Sequence, residues 1–366
     1  MFQDFSSANP LVTVVIAVRN GGEFLSKTLW SVRRQTFENI EVIVVDDGST
    51  DDTAQIAFRH GAEDDRIRVV QIAPGGVAAA RNLGILQAQG DLVTLVDGDD
   101  LIHSDLLSSH VARFLQGPNS VAAVFSLGVN IDEDDVVGNL LLPFGRSTMR
   151  SLEGWVLLPM IYRYFPSPSS TTYRRECMLE LGGYDVHLPF AEDYELMLRF
   201  VERWKIGFVD RPLMGYRYVP SSRSARATLK LRGQKSILRN FKKRCPWIPG
   251  YVWRWSLAGV YKNASWKSLQ TKHRARAIQY GIAALCLDPI LLLEPAMLPR
   301  LYSYLLTGRA SQENRIVTFP DGLDRLDDHT STVQFKLYAW IEQRRNRRMF
   351  DAEYRARGEI EGHGRW

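Results

Sequence analysis

Cysteine is scarce: three residues in 366, Cys177, Cys245 and Cys286, odd in number and far apart. That spacing excludes a disulfide framework and a cysteine-based zinc cluster, and it points to a reducing compartment. No uncharged apolar run reaches the ~18 residues that a membrane span needs. The most apolar stretch, 280–298, is broken by Asp288, Pro289, Glu294 and Pro295, which predicts a buried or interfacial helix. The opening residues, MFQDFSSANP, carry Asp4 and no apolar segment, so no secretory signal is expected. Internal repeats and low-complexity blocks are absent. So is GxGxxG: the turn after the first strand reads RNGGEF, which argues against a dinucleotide-dependent oxidoreductase. With no recognisable nucleic-acid module, no nucleic-acid partner is expected.

What is present suits a large globular chain. At 45% hydrophobic residues it can bury a core for one large domain and an appended one. Charge is divided unevenly. Residues 1–225 hold 20 Lys+Arg against 29 Asp+Glu, net −9; residues 226–366 hold 26 against 12, net +14. This split, with a change to Arg/Lys-rich helical patterns around Trp247, Trp253 and Trp255, places a domain boundary near 225. The basic part suits an anionic membrane surface or a phosphorylated acceptor, or is simply a set of solvated helix faces. Arg344, Arg345, Arg347 and Arg348 predict a solvated helix in the tail.

Along residues 1–225, β-branched runs alternate with helical spacing. Residues 11–18 (LVTVVIAV), 40–45, 67–72 and 92–96 read as buried parallel strands. Helices follow each of the first three. One starts from Glu23; one is capped by Ser49, Thr50 or Asp51 and stops near His60 and Gly61; one is Ala-rich and carries Arg81 and Asn82. Four alternations predict a Rossmann-like, doubly wound α/β layer with a mostly parallel central sheet. Ligands of such sheets bind beyond the carboxyl ends of the strands. Arg19/Asn20, Asp46/Asp47 and Asp97/Asp99 all fall on that edge.

The sharpest signal is GDLVTLVDGDDLIHSDL, 90–106, where a strand ends in Asp97, Asp99 and Asp100. Carboxylates this close repel one another unless a cation or strong donors sit among them, so a divalent metal is the expected counter-charge. Asp100 is expected to cap the segment that follows. Farther on come the run 121–129, the acidic turn IDEDD, and an aromatic region, 155–165, expected to form a mobile wall. GGYD follows, with Gly182 and Gly183 as a helix C-cap and turn. AEDYELMLRFVERW then predicts a helix starting at Glu192 and Asp193, with Leu196, Phe200 and Trp204 on its apolar face. Tyr194 is expected in the core or wall, and His187 as polar surface.

Taken in order, VVIAVRNGGEFLSKTLWSVRRQTF, VVDDGSTDDT, PGGVAAARNLG, DLVTLVDGDD, GGYD and AEDYEL resemble the family 2 inverting glycosyltransferases with a GT-A fold. The match covers roughly 11–225, followed by a basic, mainly α-helical C-terminal region, 226–366, which resembles nothing identified. The resemblance implies a hexosyl or N-acetylhexosaminyl transfer from a nucleotide-diphosphate donor, UDP-sugar favoured, to a glycan or lipid-linked acceptor. It assigns donor contacts to Val18, Arg19, Asp47, Gly76, Arg81, Asp97 and Gly98. Asp47 would meet the base, Asp97 the ribose, and Asp99 a Mg2+ or Mn2+ ion.

Asp193 would be the general base, with Glu192 its nearest rival. Asp185, Glu192 and Arg217 are candidate acceptor or phosphate contacts, with Arg223 or Arg226 as further phosphate partners. Some relatives carry a histidine after the last strand; YRYVPSSRSAR has none, which makes metal dependence less strict than nucleotide binding. Each residue has a bland competitor. Asp47 could start an Asx turn, the Asp97–Asp100 loop could be a solvated cap, and Asp193 could merely favour a helix start. The alternative function is a sugar-nucleotide-binding or scaffold protein without turnover. The expected location is cytoplasmic, at the inner face of the membrane through peripheral contact.

Overall fold

Seven consecutive residues without an exposed side chain form the central strand β1, Val12–Val18. A strand buried on both faces needs helices on both sides, which is the parallel α/β solution. The computed structural model describes residues 9–118, 120–141, 153–163, 166–217, 227–271, 273–293 and 333–358. In it β1 pairs in parallel with β2 (Ile40–Asp46) and β4 (Leu92–Asp97), and β2 with β3 (Ile67–Gln71). The linking helices are α1 (Leu25–Arg33), α2 (Thr53–Glu63) and α3 (Val77–Gln87). Helix α2 starts at Thr53, where the Asp51 carboxylate accepts the Thr53 N–H at 3.1 Å, and it runs past Gly61 to Glu63.

Beyond β4 come β5 (Leu101–Ile102), α4 (Leu106–Gln116), β6 (Val121–Ile131), β7 (Val137–Leu140) and α5 (Leu157–Tyr162). Then follow β8 (Thr171–Arg174), α6 (Arg175–Glu180), α7 (Glu192–Arg203) and β9 (Lys205–Arg217). The sheet order is β3-β2-β1-β4-β8-β6-β9-β5, with β7 on β6. Strand β8 runs antiparallel between β4 and β6, so the parallel order predicted from sequence holds on the β3-to-β4 side and becomes mixed beyond it. Register sets the site: Val18 lies opposite Asp46, and Ala17 opposite Asp97, so the tips of β2 and β4 end level.

The carboxy-terminal helices are α8 (Ala227–Arg244), α9 (Gly250–Gln270), α10 (Arg274–Leu287) and α11 (Val333–Ala356). They share the main core with the sheet, a cluster reaching from Val15 and Val93 to Val252, Trp253, Met349 and Phe350. Two expectations change here. The arginine-rich tail is a solvated helix on one face only: Arg344, Arg347 and Arg348 are exposed, while Met349, Phe350 and Tyr354 form a buried stripe that draws Arg345 inside with them. Arg345 pairs with Asp288 at 2.7 Å, and the buried Glu353 carboxylate accepts the N–H groups of Leu157 and Leu158.

The aromatic region is no mobile wall where it is described. All six residues of α5 are buried, and the Ile161 carbonyl accepts hydrogen bonds from Tyr194 and Ser256. Residues 164–165 lie outside the described part. The apolar stretch from 280 becomes the end of α10 and a 3-10 turn, Pro289–Leu293, with 294–298 outside the described residues. Among the described residues no helix is long and apolar enough to cross a membrane.

Candidate functional site

The loops at the carboxyl edge are stitched to one another through backbone donors. Asp47 N–H donates to Val18 O at 2.9 Å, Asn20 N–H to Ser49 Oγ at 2.9 Å, and Gly21 N–H to Thr53 Oγ1 at 2.8 Å. Asn20 adopts φ 51°, a left-handed conformation that asparagine tolerates, and its Oδ1 accepts Thr50 N–H. The buried Asp47 carboxylate accepts Gly75 N–H at 2.6 Å and Gly76 N–H at 2.9 Å, tying β2 to the start of α3. The local turn belongs instead to Asp46, whose Oδ1 accepts Ser49 N–H. Gly76 sits at φ 89° beside open space, a conformation that any Cβ would strain.

The acidic loop after β4 is held at nearly every peptide. Thr28 Oγ1 donates to Gly98 O at 3.0 Å and Asp100 O at 2.9 Å. Ser169 Oγ accepts Asp97 N–H at 3.1 Å and donates to Asp100 Oδ2 at 2.6 Å. The other Asp100 oxygen accepts Arg217 N–H at 3.0 Å, and Arg217 Nε donates to Asp99 O at 2.8 Å. A Cβ on Gly98 would lie 2.8 Å from a Val18 methyl, so the loop packs directly on β1.

Asp100 therefore does not cap the following segment. Its 1% exposure and its bonds to two other elements make it the internal anchor of the loop. Burial, then Asp99 and Asp97, push its carboxyl well above the ordinary range. Asp99 is raised to about 6, by burial first and by Asp97 second. Like charges in a poorly solvated pocket favour the neutral acid until a cation arrives.

Helix α3 joins this loop to the opposite side of the site. Arg81, 5% exposed, forms an ion pair with Asp97, and its guanidinium lies over the Tyr184 ring at 5.2 Å. Burial works against the Arg81 charge, but Asp97, Tyr184 and Asp193 reverse the balance and leave it well above its ordinary value. Asn82 holds the Tyr184 backbone at both N and O. Asp193 stands at the first turn of α7, preceded by Ala191 in a left-handed conformation, φ 63°. A buried alanine in that region is strained, and such strain tends to gather where geometry is functionally constrained. The Asp193 Oδ1 accepts the Tyr194 N–H at 2.8 Å.

The structure thus brings Asp47, Gly76, Arg81, Asp97, Gly98, Asp99 and Asp193 to one edge, with Val18 beneath them and Arg19 exposed at the rim. Glu192 is half-buried beside Asp193. Asp185 is exposed, and its carboxylate accepts His187 N–H; Gly182 and Gly183, at φ 74° and 71°, close α6 as read from sequence. Arg217 departs from the phosphate-contact expectation: its side chain is fully enclosed, bonded to Asp99 O, Asp132 O and Asp135, and stacked at 4.5 Å on Phe24. Arg223 and Arg226 lie outside the described residues. Thr28 and Ser169 escaped the sequence reading because single hydroxyls carry no spacing signal. Asn82 and Tyr184 were visible only as members of longer strings.

Comparison with known proteins follows the same outline. Residues 13–176 match the family model described as glycosyl transferase family 2. Glycosyltransferase GlyG of Streptococcus pneumoniae is 39% identical over 126 residues, 34% of this chain and 41% of that protein. The uncharacterized glycosyltransferase EpsJ of Bacillus subtilis is 30% identical over 223 residues, 58% of this chain and 62% of its own. The chain spans less than two thirds of the length of these relatives.

Among solved structures, S. aureus TarS 1-349 in complex with UDP-GlcNAc superposes with a TM-score of 0.51 at 20% identity, covering 74% of this chain and 89% of that one. The mannosyltransferase PcManGT from Pyrobaculum calidifontis, in complex with GDP-Man and Mn2+, gives 0.54 at 16% identity, covering 96% and 88%. The fold is that of the GT-A glycosyltransferases, with a helical region after the sheet.

Proposed function

We propose, from the premise that residues 13–176 belong to glycosyl transferase family 2, that the chain transfers a sugar from a nucleotide-diphosphate donor to a glycan or lipid-linked acceptor with inversion. One observation carries the reading: Arg81 pairs with Asp97 at the donor edge and lies over Tyr184 of the GGYD turn, which precedes α7 with Asp193 in its first turn. A donor seated along Asp47, Gly76 and Asp97 would present its anomeric carbon between the acidic loop and α7. The acceptor hydroxyl, a poor nucleophile by itself, would lose its proton to the Asp193 carboxylate as it attacks. A single displacement inverts the configuration.

The residues fit a divalent ion of the Mg2+ or Mn2+ type in one respect and limit it in another. Asp99 offers a hard oxygen ligand whose carboxyl is raised to about 6 by burial first and by Asp97 second. Among the described residues, no group of three or more His, Cys, Asp or Glu side chains is arranged to hold a metal. Asp99 would therefore hold the ion together with donor oxygens and water, and the ion would act as a Lewis acid toward the departing diphosphate. Arg81 pairs with Asp97 and fixes it in place, so that its other oxygen would accept a ribose hydroxyl.

The experiment is transfer or donor hydrolysis with Mn2+, starting with UDP-GlcNAc and GDP-Man, the nucleotide sugars bound to TarS and PcManGT. Asp193→Asn is expected to lower kcat by at least about a hundredfold while donor binding persists. Asp99→Ala is expected to abolish the Mn2+ response. Activity that survives both substitutions sinks the assignment.

A further inference from the structure

Helix α10 is apolar on both sides. Its inner face packs Ala284 against Ala258 and Leu291, and Ala277 against Leu269. Its outer face carries Arg274, Ile278, Ile282 and Cys286 at successive four-residue steps, and all four are exposed. Ile278 is 56% and Ile282 58% exposed, and Leu292 in the following turn is 44% exposed. A surface helix ordinarily turns polar residues outward, so an apolar outer stripe marks a contact surface.

The surroundings are strongly cationic. Residues 227–293 contain 13 Lys+Arg and a single acid, Asp288, net +12. That one carboxylate is 3% exposed and already paired with Arg345, so it offsets nothing at the surface. Arg274 heads the apolar stripe itself, and His273 and Arg276 are exposed beside it. Self-association through this face would bring two copies of the cationic segment together, which disfavours it as the use of the face.

We propose that α10 docks the protein on an anionic membrane surface. Ile278, Ile282 and Leu292 enter the boundary between headgroups and acyl chains, and Arg274 and Arg276 meet acidic headgroups. The helix lies along the interface and does not span it, consistent with the absence of any membrane-crossing helix among the described residues. This docking is independent of the transferase reading; where both hold, it brings the site to the surface where a lipid-linked acceptor resides.

The test uses the full-length chain sedimented with phosphatidylcholine vesicles, with and without phosphatidylserine, at low and high salt. The protein is expected to pellet with the phosphatidylserine vesicles and to be released by salt. Ile278→Asp/Ile282→Asp and Arg274→Glu/Arg276→Glu should each lower partitioning by about tenfold or more. Far-UV circular dichroism and donor turnover in solution should match the parent protein. The proposal is overturned if the parent protein stays in the supernatant at low salt, or if Ile278→Asp/Ile282→Asp binds as well as the parent. It is also overturned if light scattering finds a dimer that the same substitution disperses.

Discussion

Asn82 grips Tyr184 from both sides across 102 positions of sequence: its Nδ2 donates to the Tyr184 carbonyl at 2.8 Å and its Oδ1 accepts the Tyr184 N–H at 2.7 Å. The neighbouring Arg81 holds Asp97 and lies over the Tyr184 ring. Two consecutive residues of α3 therefore fix the acidic loop and the GGYD turn relative to each other. Gly183 completes the fit, since a Cβ there would stand 2.3 Å from the Asn82 Oδ1.

Asn82→Ala should release this turn. Loss of two partly buried hydrogen bonds is expected to cost about 1–3 kcal/mol, read as a lowered midpoint in denaturant. In the transferase reading, KM for acceptor should rise more than KM for donor, because the turn leads into α7. Equal changes in both would contradict that division.

Ser169→Ala removes a hydroxyl that serves the Asp97 N–H and the Asp100 carboxylate together. The loop is expected to lose its fixed geometry, weakening donor binding by about tenfold through one unsatisfied buried group. Calorimetric titration of nucleotide reads the effect. An unchanged affinity would assign Ser169 to stability alone.

Asp99 sets a pH dependence with a definite sign. Its folded-state pKa, about 6, lies above the ordinary 3.8, so the folded state binds the extra proton and stability falls as pH rises from about 4 to 6. The full shift corresponds to about 3 kcal/mol at most. Asp99→Asn should flatten the thermal-midpoint profile across that window relative to the metal-free parent. Mn2+ binding to the parent should weaken below about pH 6 as proton and cation compete for the carboxylate.

Glu353 joins the carboxy-terminal helix to α5 by accepting Leu157 N–H at 3.1 Å and Leu158 N–H at 2.9 Å. Glu353→Ala leaves both donors and Arg357 without that carboxylate, at an expected cost of about 2–4 kcal/mol. Chemical denaturation measures it. A loss below about 0.5 kcal/mol, the ordinary range for surface substitutions, would show that α11 is dispensable for the core.

The β-branched runs fixed the strands in advance, because a strand buried on both faces admits little but apolar residues, and β1, β2 and β4 carry that pattern over six or seven residues. The acidic strand ends and the ED pair were legible for a related reason: charge abutting an apolar run has to lie at an edge. Those two rules were enough to bring Asp46/Asp47 and Asp97/Asp99 to one edge; Asp193 was assigned a role only by the family resemblance.

What the chain alone left open depends on partners distant in sequence. Asp97, Asp99 and Asp100 are adjacent in the string, yet Ser169 and Arg217, 69 and 117 positions away, draw Asp100 inside and leave Asp97 and Asp99 at the carboxyl edge of the sheet. Arg217 reads as a phosphate contact and Arg345 as a solvated cation until Asp135 and Asp288 enclose them. Composition and periodicity report which side chains avoid water. They do not report which buried charge has found its counter-charge, because that pairing is made by the tertiary fold.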